Sequence, residues 1–198
     1  MGPRAVEFFD DQFRRQAASG DYALNPFEQW ALPHLRGRVL DLGCGLGNLS
    51  IAAARVGCRV LAVDASAAGV ADLGRRAAAE ALPLEAVCAD LATFVAQGEY
   101  DTLVCIGLLM FFDCDTAKAL LRRWQARVVP GGTMVVNALI EGTTYLDMFD
   151  PQSHCLFAER DIDAEFAGWK LEVARTDEFP ALGERIKRFR TVIGVRPH

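Results

Sequence analysis

Six cysteines stand at positions 44, 58, 88, 105, 114 and 155, yet no two form a C-x-x-C pair. Neither a zinc site nor a thioredoxin-like redox motif is therefore indicated, and no metal is expected. Long apolar runs are missing too: no stretch approaches the roughly 20 residues that a membrane-crossing helix needs. The N-terminus carries Glu7, Asp10, Asp11, Arg14 and Arg15, which suits neither a signal peptide nor a membrane span. These absences predict a soluble, cytoplasmic chain without a membrane partner. In that setting the even cysteine count is weak reason to expect disulfides. Cys58, Cys88 and Cys105 fall in expected strands and read as small core residues. A basic excess is also lacking, with 21 Lys and Arg against 26 Asp and Glu and a net charge of −5. Such a balance argues against sequence-independent nucleic-acid binding, which relies on a basic surface. The local exception is Arg185, Lys187, Arg188 and Arg190. They read as a solvated strand end, with contact to an anionic substrate group as the alternative.

Repeats, low-complexity tracts and obvious linkers are absent. With 198 residues, 52% of them hydrophobic, the chain suffices for one well-buried domain. The expected division is an N-terminal helical cap, residues 1–35, on an α/β core, residues 36–198. Helices are predicted over 6–18 and 25–35, the second started by Asn25 as N-cap and Pro26 at the first helical position. Strands are expected at 38–42, 58–63, 84–88, 100–106 and 133–139. Between them, helices are expected over 49–56, 66–81 (capped by Ser66) and from Asp113 or Asp115 to 128, with Leu120, Leu121 and Trp124 at helical spacing. Pro130-Gly131-Gly132 reads as a turn. A helix over 159–169 precedes strands at 170–177 and 184–195. The alternation implies a parallel sheet covered on both faces. The last two strands have no helix between them and must pair as a hairpin. The expected fold is α/β, a doubly wound, seven-stranded, mostly parallel sheet with a C-terminal antiparallel hairpin.

The segment Arg38-Val-Leu-Asp-Leu-Gly-Cys-Gly-Leu-Gly-Asn48 carries the most information. Its glycines follow directly on the first strand, where open α/β sheets bind ligands. Gly43 and Gly45 permit a sharp turn and close approach of a ligand, and Gly47 lets the next helix pack closely. A dinucleotide fingerprint is G-x-G-x-x-G with a pyrophosphate on the helix N-terminus. Here the spacing is G-x-G-x-G, Asn48 replaces the last glycine, and Asp41 precedes the first by two residues. That favours S-adenosylmethionine (SAM), which has no pyrophosphate, over NAD. Asp64, at the end of the second strand, is expected to accept hydrogen bonds from both ribose hydroxyls. Asp90 is placed for the adenine amino group and the Leu91 backbone for a ring nitrogen. Cys105 and Ile106 end the fourth strand beneath the cofactor. Cys44 lies within the cradle, and Arg14, Tyr22, Asn25 and Phe27 are the N-terminal residues with something to offer a ligand. Arg14 and Tyr22 are counted as cofactor contacts.

These landmarks resemble those of the class I SAM-dependent methyltransferases. Asp-Leu-Gly-Cys-Gly-Leu-Gly resembles their first motif, Val63-Asp64-Ala65-Ser66 their second, and Pro130-Gly131-Gly132 a later one. The resemblance implies that SAM is the cofactor, that S-adenosylhomocysteine (SAH) is its product and that Ala65 lies at the site. Methyl transfer is an in-line displacement on an already activated donor, so the enzyme mainly positions the acceptor and removes water. No catalytic triad is present, and a base matters only if the acceptor must lose a proton. After the fourth strand, Gly107-Leu-Leu-Met-Phe-Phe112 lacks the Asn/Asp-Pro-Pro-Tyr/Phe pattern of enzymes acting on base amino groups. Met110, Phe111 and Phe112 suit an apolar pocket for a small or flat acceptor. This stretch and the ending from Arg185 to Val195 resemble the tellurite-resistance (TehB-like) methyltransferases, related to thiopurine methyltransferases. That group acts on tellurium and selenium oxyanions and carries a His-Arg pair before its last strand. Residues 179–183 here hold neither. Its acid after strand five matches Glu141, which the resemblance makes a catalytic candidate. His154, in the loop that often walls the substrate, is the second candidate, as general base. Asp113 reads as an N-cap. Cys114 and Cys155 could bind a soft metalloid through thiolates. The expected partner is thus a small-molecule acceptor, a metalloid oxyanion, thiol or small metabolite. A SAM-binding protein without turnover and an NAD-dependent oxidoreductase are the alternatives.

Overall fold

A computed structural model describes residues 3–150 and 153–198. Two positions of the cap and two of the 141–157 loop therefore lie outside the described residues. Seven strands form one sheet in the order β3-β2-β1-β4-β5-β7-β6. The strands are β1 (Arg38–Leu42), β2 (Arg59–Asp64), β3 (Leu84–Cys88), β4 (Tyr100–Ile106), β5 (Val128–Leu139), β6 (Lys170–Ala181) and β7 (Arg185–Val195). β1 to β5 run parallel, and β7 enters antiparallel between β5 and β6. The doubly wound, mostly parallel sheet with its antiparallel hairpin is as expected from the sequence.

Near-continuous apolar strands such as Val39-Leu40 and Leu103-Val104 are what a sheet buried on both faces requires. Val39, Val60, Val104, Val135 and Ile193 pack with α3 (Asn48–Arg55) and α4 (Ala67–Ala79). Leu40, Leu103, Met134 and Val192 pack on the other face with α5 (Cys114–Gln125) and with Ile162 of α6 (Glu159–Glu165). α5 buries Leu120, Leu121 and Trp124, the residues at helical spacing, and Asp113 caps it by accepting the Thr116 N–H at 2.9 Å. Ser66 caps α4 and Asn25 caps α2 (Pro26–Ala31), the latter in a reciprocal capping box with Glu28. The 17-residue α1 (Pro3–Ser19) lies against α4.

Several boundaries differ from the expected ones. α5 stops at Gln125, and the expected turn at 130–132 is instead part of β5. Gly131 has a φ of +72°, and the β4–β5 register shifts between Tyr100 and Thr102, so the strand absorbs the turn as a bulge. α6 ends early, at Glu165, with Gly168 at a φ of +83° beyond it. β6 runs on to Ala181, taking in Phe179 and Pro180. β6 is an edge strand, where proline removes no interior ladder bond. β3 forms the other edge, so Cys88 is exposed, not in the core; Cys58 and Cys105 are buried. Cys114 and Cys155 form a disulfide, so they are not the thiolate pair considered for a soft metalloid. No helix among the described residues is long and apolar enough to cross a membrane.

Parallel strands end on one side, and the chain leaves β1 for β2 in one direction and returns to β4 in the other. The turn after β1 therefore sits at the topological switch point of the sheet. Gly47 makes the turn possible: its φ is +66°, and a Cβ there would lie 2.4 Å from a terminal carbon of Leu73 on α4. Gly47→Ala meets both the left-handed backbone penalty and the overpacking penalty, together about 2–4 kcal/mol. Urea unfolding should show that loss, and a stability equal to that of the unaltered protein would contradict the packing assigned to this glycine.

Candidate active site

The Gly43–Gly47 turn is fixed by backbone geometry. The N–H groups of Gly43 and Cys44 both donate to the Val63 carbonyl, at 2.8 and 3.2 Å, which ties the end of β1 to the end of β2. Asp64 then accepts the Gly45 N–H at 2.8 Å through one oxygen and the Ser66 N–H at 2.7 Å through the other. Asp41, one strand away, accepts from Ser50 Oγ at 2.6 Å. Both acids are almost wholly buried, Asp41 at 5% exposure and Asp64 at 7%.

A cavity of about 410 Å³ opens at this turn, in the range of about 300–1,000 Å³ typical of small-molecule sites. Its floor is Asp41, Gly43 to Leu49, Asp64, Ile106 and Asn137. α1 contributes Phe9, Gln12, Phe13 and Gln16, and the next segment Ala23, Asn25, Phe27 and Glu28. Met110 and Phe111, on a 3-10 turn after β4, and Met148, Lys187 and Phe189 complete the wall. Phe13 covers the glycines closely: a Cβ on Gly45 would lie 2.8 Å from its ring. The cover is anchored by Asp10, whose carboxylate accepts from Ser66 Oγ at 2.6 Å and from the Ala68 N–H at 3.1 Å. The Ser66 hydrogen bond is also the leading reason that the Asp10 carboxyl lies below its usual range.

Burial sets the electrostatics. Loss of water is the leading cause that pushes Asp41 up to about 7, with repulsion from Glu28 and Asp64 adding to it and the Ser50 hydrogen bond opposing it. Asp64 and Glu28 are raised for the same first reason. The Cys44 thiol is pushed well above its ordinary range by burial and then by Asp41 and Asp64, which disfavours the thiolate. Three acids thus line the cavity together with Lys187, the single cation among the described lining residues.

The sequence-predicted residues divide into groups. Asp41, Gly43, Cys44, Gly45, Asp64 and Ile106 come together on the cavity wall, as do Asn25 and Phe27. Ala65 and Arg14 instead line a second depression between α1 and α4. Arg14 is two-thirds exposed and ion-paired with Asp10 at 2.7 Å, so it does not reach the glycine turn. Tyr22 also lies off the cavity, because its hydroxyl hydrogen-bonds Asp72 and its ring stacks under the Arg76 guanidinium. Asp90 follows β3 as expected and accepts the Ala92 N–H, while the Leu91 side chain is in the core and Cys105 lies buried under the sheet end. The two catalytic candidates do not line the cavity. The carbonyl of Glu141 accepts from Arg188 and its N–H donates to Phe157, which holds this exposed residue outside. His154 is stacked on Phe149 at 5.1 Å and bonded to the Asp150 carbonyl. Sequence reasoning missed Phe9, Gln12, Phe13, Asn137 and Met148. The Phe9, Gln12, Phe13, Gln16 spacing along α1 was the available signal for the first three.

SAM carries a sulfonium, an ammonium and a carboxylate, and the residues present fit it. The three acids suit the cationic groups, and the glycines leave the close approach open to a ligand. Asn137 is wholly buried, its Nδ2 donates to Thr191 Oγ1 at 2.9 Å, and its Oδ1 has no partner, an acceptor free for a ligand N–H or O–H. Residues 39–132 match a family model described as a methyltransferase domain. Among curated proteins, Hemagglutinin 1 of Eikenella corrodens is 30% identical over 139 residues, covering 68% of this chain and 44% of its own length. The ubiquinone biosynthesis O-methyltransferase of Paraburkholderia xenovorans is 33% identical over 124 residues, 60% and 53% of the two chains. This chain thus spans about half the length of the curated relatives it matches. Among solved structures, TehB from Haemophilus influenzae superposes with a TM-score of 0.77 at 19% identity, over 91% of this chain and 65% of the other. The N-methyltransferase NodS from Bradyrhizobium japonicum WM9, solved with SAH, gives 0.71 at 16% identity over 96% and 99%. Residues 39–132 are thus similar to a methyltransferase domain, and the chain shares its fold with TehB and NodS.

Proposed function

We propose that this chain is an active SAM-dependent methyltransferase, folded as one domain, that transfers methyl to a small-molecule acceptor. The observation that carries the reading is the Gly43–Gly47 turn standing with Asp41 and Asp64 on the wall of one cavity. The ubiquinone biosynthesis O-methyltransferases among its relatives act on a small molecule at oxygen, which supports this class of acceptor. When bound, SAM supplies a methyl group already activated on a sulfonium. What remains for the protein is placement. Asp64 and the unpartnered Asn137 Oδ1 both line the cavity, and on this reading Asp64 takes the ribose hydroxyls. Phe13 covers Gly45 and Phe9 lines the same cavity, and Met110, Phe111 and Met148 give the acceptor an apolar wall. Alignment and exclusion of water of this kind contribute about 7–11 kcal/mol at best, consistent with a wall that carries no triad among the described residues.

Calorimetry tests the reading. SAM and SAH should bind at micromolar concentration, and NAD should not bind. Asp64→Asn keeps one oxygen for one of the two backbone N–H groups but loses the charge and the second acceptor, so SAH affinity should fall at least about tenfold. Tight NAD binding, or an unchanged SAH affinity in the variant, would remove the basis for the assignment. Release of SAH on addition of an acceptor panel separates turnover from mere binding.

The acids of the cavity add a pH dependence. Burial pushes the Asp41 carboxyl from its ordinary value of 3.8 up to about 7, so the folded state holds a proton that the unfolded chain has lost between these limits. Stability of the ligand-free protein therefore falls as pH rises from about 4 to about 7. Asp41→Asn cannot charge. Its stability measured against the unaltered protein should improve by about 2–3 kcal/mol between pH 5 and pH 8 in urea unfolding. A difference that stays constant with pH would contradict the burial assigned to Asp41.

A further inference from the structure

The basic residues near the C-terminus are not equivalent once the fold is known. Arg185 forms two hydrogen bonds with Asp147 and stacks on Tyr145. Arg188 reaches the Glu141 carbonyl and Glu178, and Arg190 is held by Asp163, Glu159 and Thr176. Lys187 differs. It is half-buried on the cavity wall, and among the described residues no hydrogen bond or ion pair engages its ammonium group. Its one close neighbour of note is the Tyr145 ring, 4.6 Å from Nζ. A cation withdrawn from water without an anion is costly, and loss of water is the cause that lowers its pKa. A charge kept in this position is explained by a ligand that supplies the counter-charge.

The surroundings of Lys187 narrow that ligand. Phe189, two residues along the same strand face, lies 4.6 Å from Phe27, and Phe179, opposite Lys187 on β6, lies 5.4 Å from Phe27. Across the cavity Phe9 and Phe111 meet edge to face at 5.2 Å. Aromatic walls favour a flat, apolar body. Glu28 and Asp41 line the same cavity and repel a diffusely anionic ligand, which favours a ligand whose negative charge sits on one atom near Nζ. We infer that Lys187 docks the ionised oxygen or sulfur of a flat aromatic acceptor, a phenol or thiophenol, and holds it as the nucleophilic anion. This rests on the methyltransferase reading. In the transfer, the acceptor's O or S lone pair forms the bond to the methyl carbon while the methyl–sulfonium bond breaks and leaves a neutral thioether. The acceptor's proton has by then passed to water, and Lys187 carries the positive charge beside the anion. Lys187 is on this view a specificity-determining residue, because an acceptor that cannot ionise gains nothing from it.

The test uses the full chain saturated with SAH, with 4-nitrophenol and 4-nitrothiophenol as probes whose anions are coloured and 4-nitroanisole as the non-ionising control. At a pH where each free probe is mostly protonated, binding should raise the ionised fraction of at least one probe, equivalent to a tenfold or greater gain in its ionisation constant. The probe that gains separates an oxygen site from a sulfur site. Lys187→Met should abolish the gain while SAH affinity stays within about twofold, and Lys187→Arg should restore most of it. SAH binding by Lys187→Met also reports that the variant is folded; if it does not fold, Lys187→Gln replaces it. Binding of neither probe, binding without ionisation, or full ionisation in Lys187→Met would overturn the inference and leave the methyltransferase reading standing. Failure of the unaltered protein to bind SAH would overturn both.

Discussion

One carboxylate organises the ligand end of this fold. Asp64 joins the glycine turn after β1 to the start of α4 by accepting from Gly45 with one oxygen and from Ser66 with the other. Ser66 in turn caps α4 and donates to Asp10, which brings α1 down over the glycines. The turn, the cap of α4 and the placement of α1 therefore share one buried charge. That charge is costly to desolvate, and burial does raise its pKa, but the surrounding N–H groups offset much of the cost. A side chain without two acceptor oxygens could not make both ties at once.

The parallel half of the sheet was legible in the sequence because its signals are local. Apolar runs bounded by Gly43, Ser66 and Asp113 announce strands, turns and helix caps without reference to distant residues. The glycine spacing and the acid after β2 were legible for the same reason, and these residues meet on the wall of one cavity. The acceptor wall was not legible in this way. It is assembled from α1, the segment around Phe27, the turn after β4 and β7, and nothing in the pattern Phe9-x-x-Gln12-Phe13 distinguishes a face that packs on a helix from one that covers a ligand. Glu141 and His154 are a related case. Both lie in the right connection after β5, but backbone bonds to Phe157 and stacking on Phe149 hold them away from the cavity. The Cys114–Cys155 disulfide also depends on proximity that no spacing rule reveals over a separation of 41 residues.

The cavity combines features that are unfavourable singly. Asp41, Asp64 and Glu28 are raised by burial, and Lys187 is lowered by it. Charges of both signs kept at such a cost, beside a glycine cradle and an aromatic wall, are the expected arrangement where a cationic cofactor meets an acceptor. The same combination explains why the fold tolerates Asn137 with an unpartnered buried oxygen, an atom that a purely structural core would satisfy. It also explains why α1 lies so close: Phe13 covers Gly45, and the cavity is the open side of the turn.

The central claim is that the Gly43–Gly47 turn and Asp64 form the seat of an adenosyl cofactor. A crystal structure of the full chain with SAH tests it most directly. The account predicts density for the amino-acid part along Gly43 to Gly45, both ribose hydroxyls within hydrogen-bond distance of Asp64, and the sulfur facing Met110 and Phe111. SAH bound elsewhere, or an Asp64 carboxylate that touches only Gly45 and Ser66 in the complex, would contradict it.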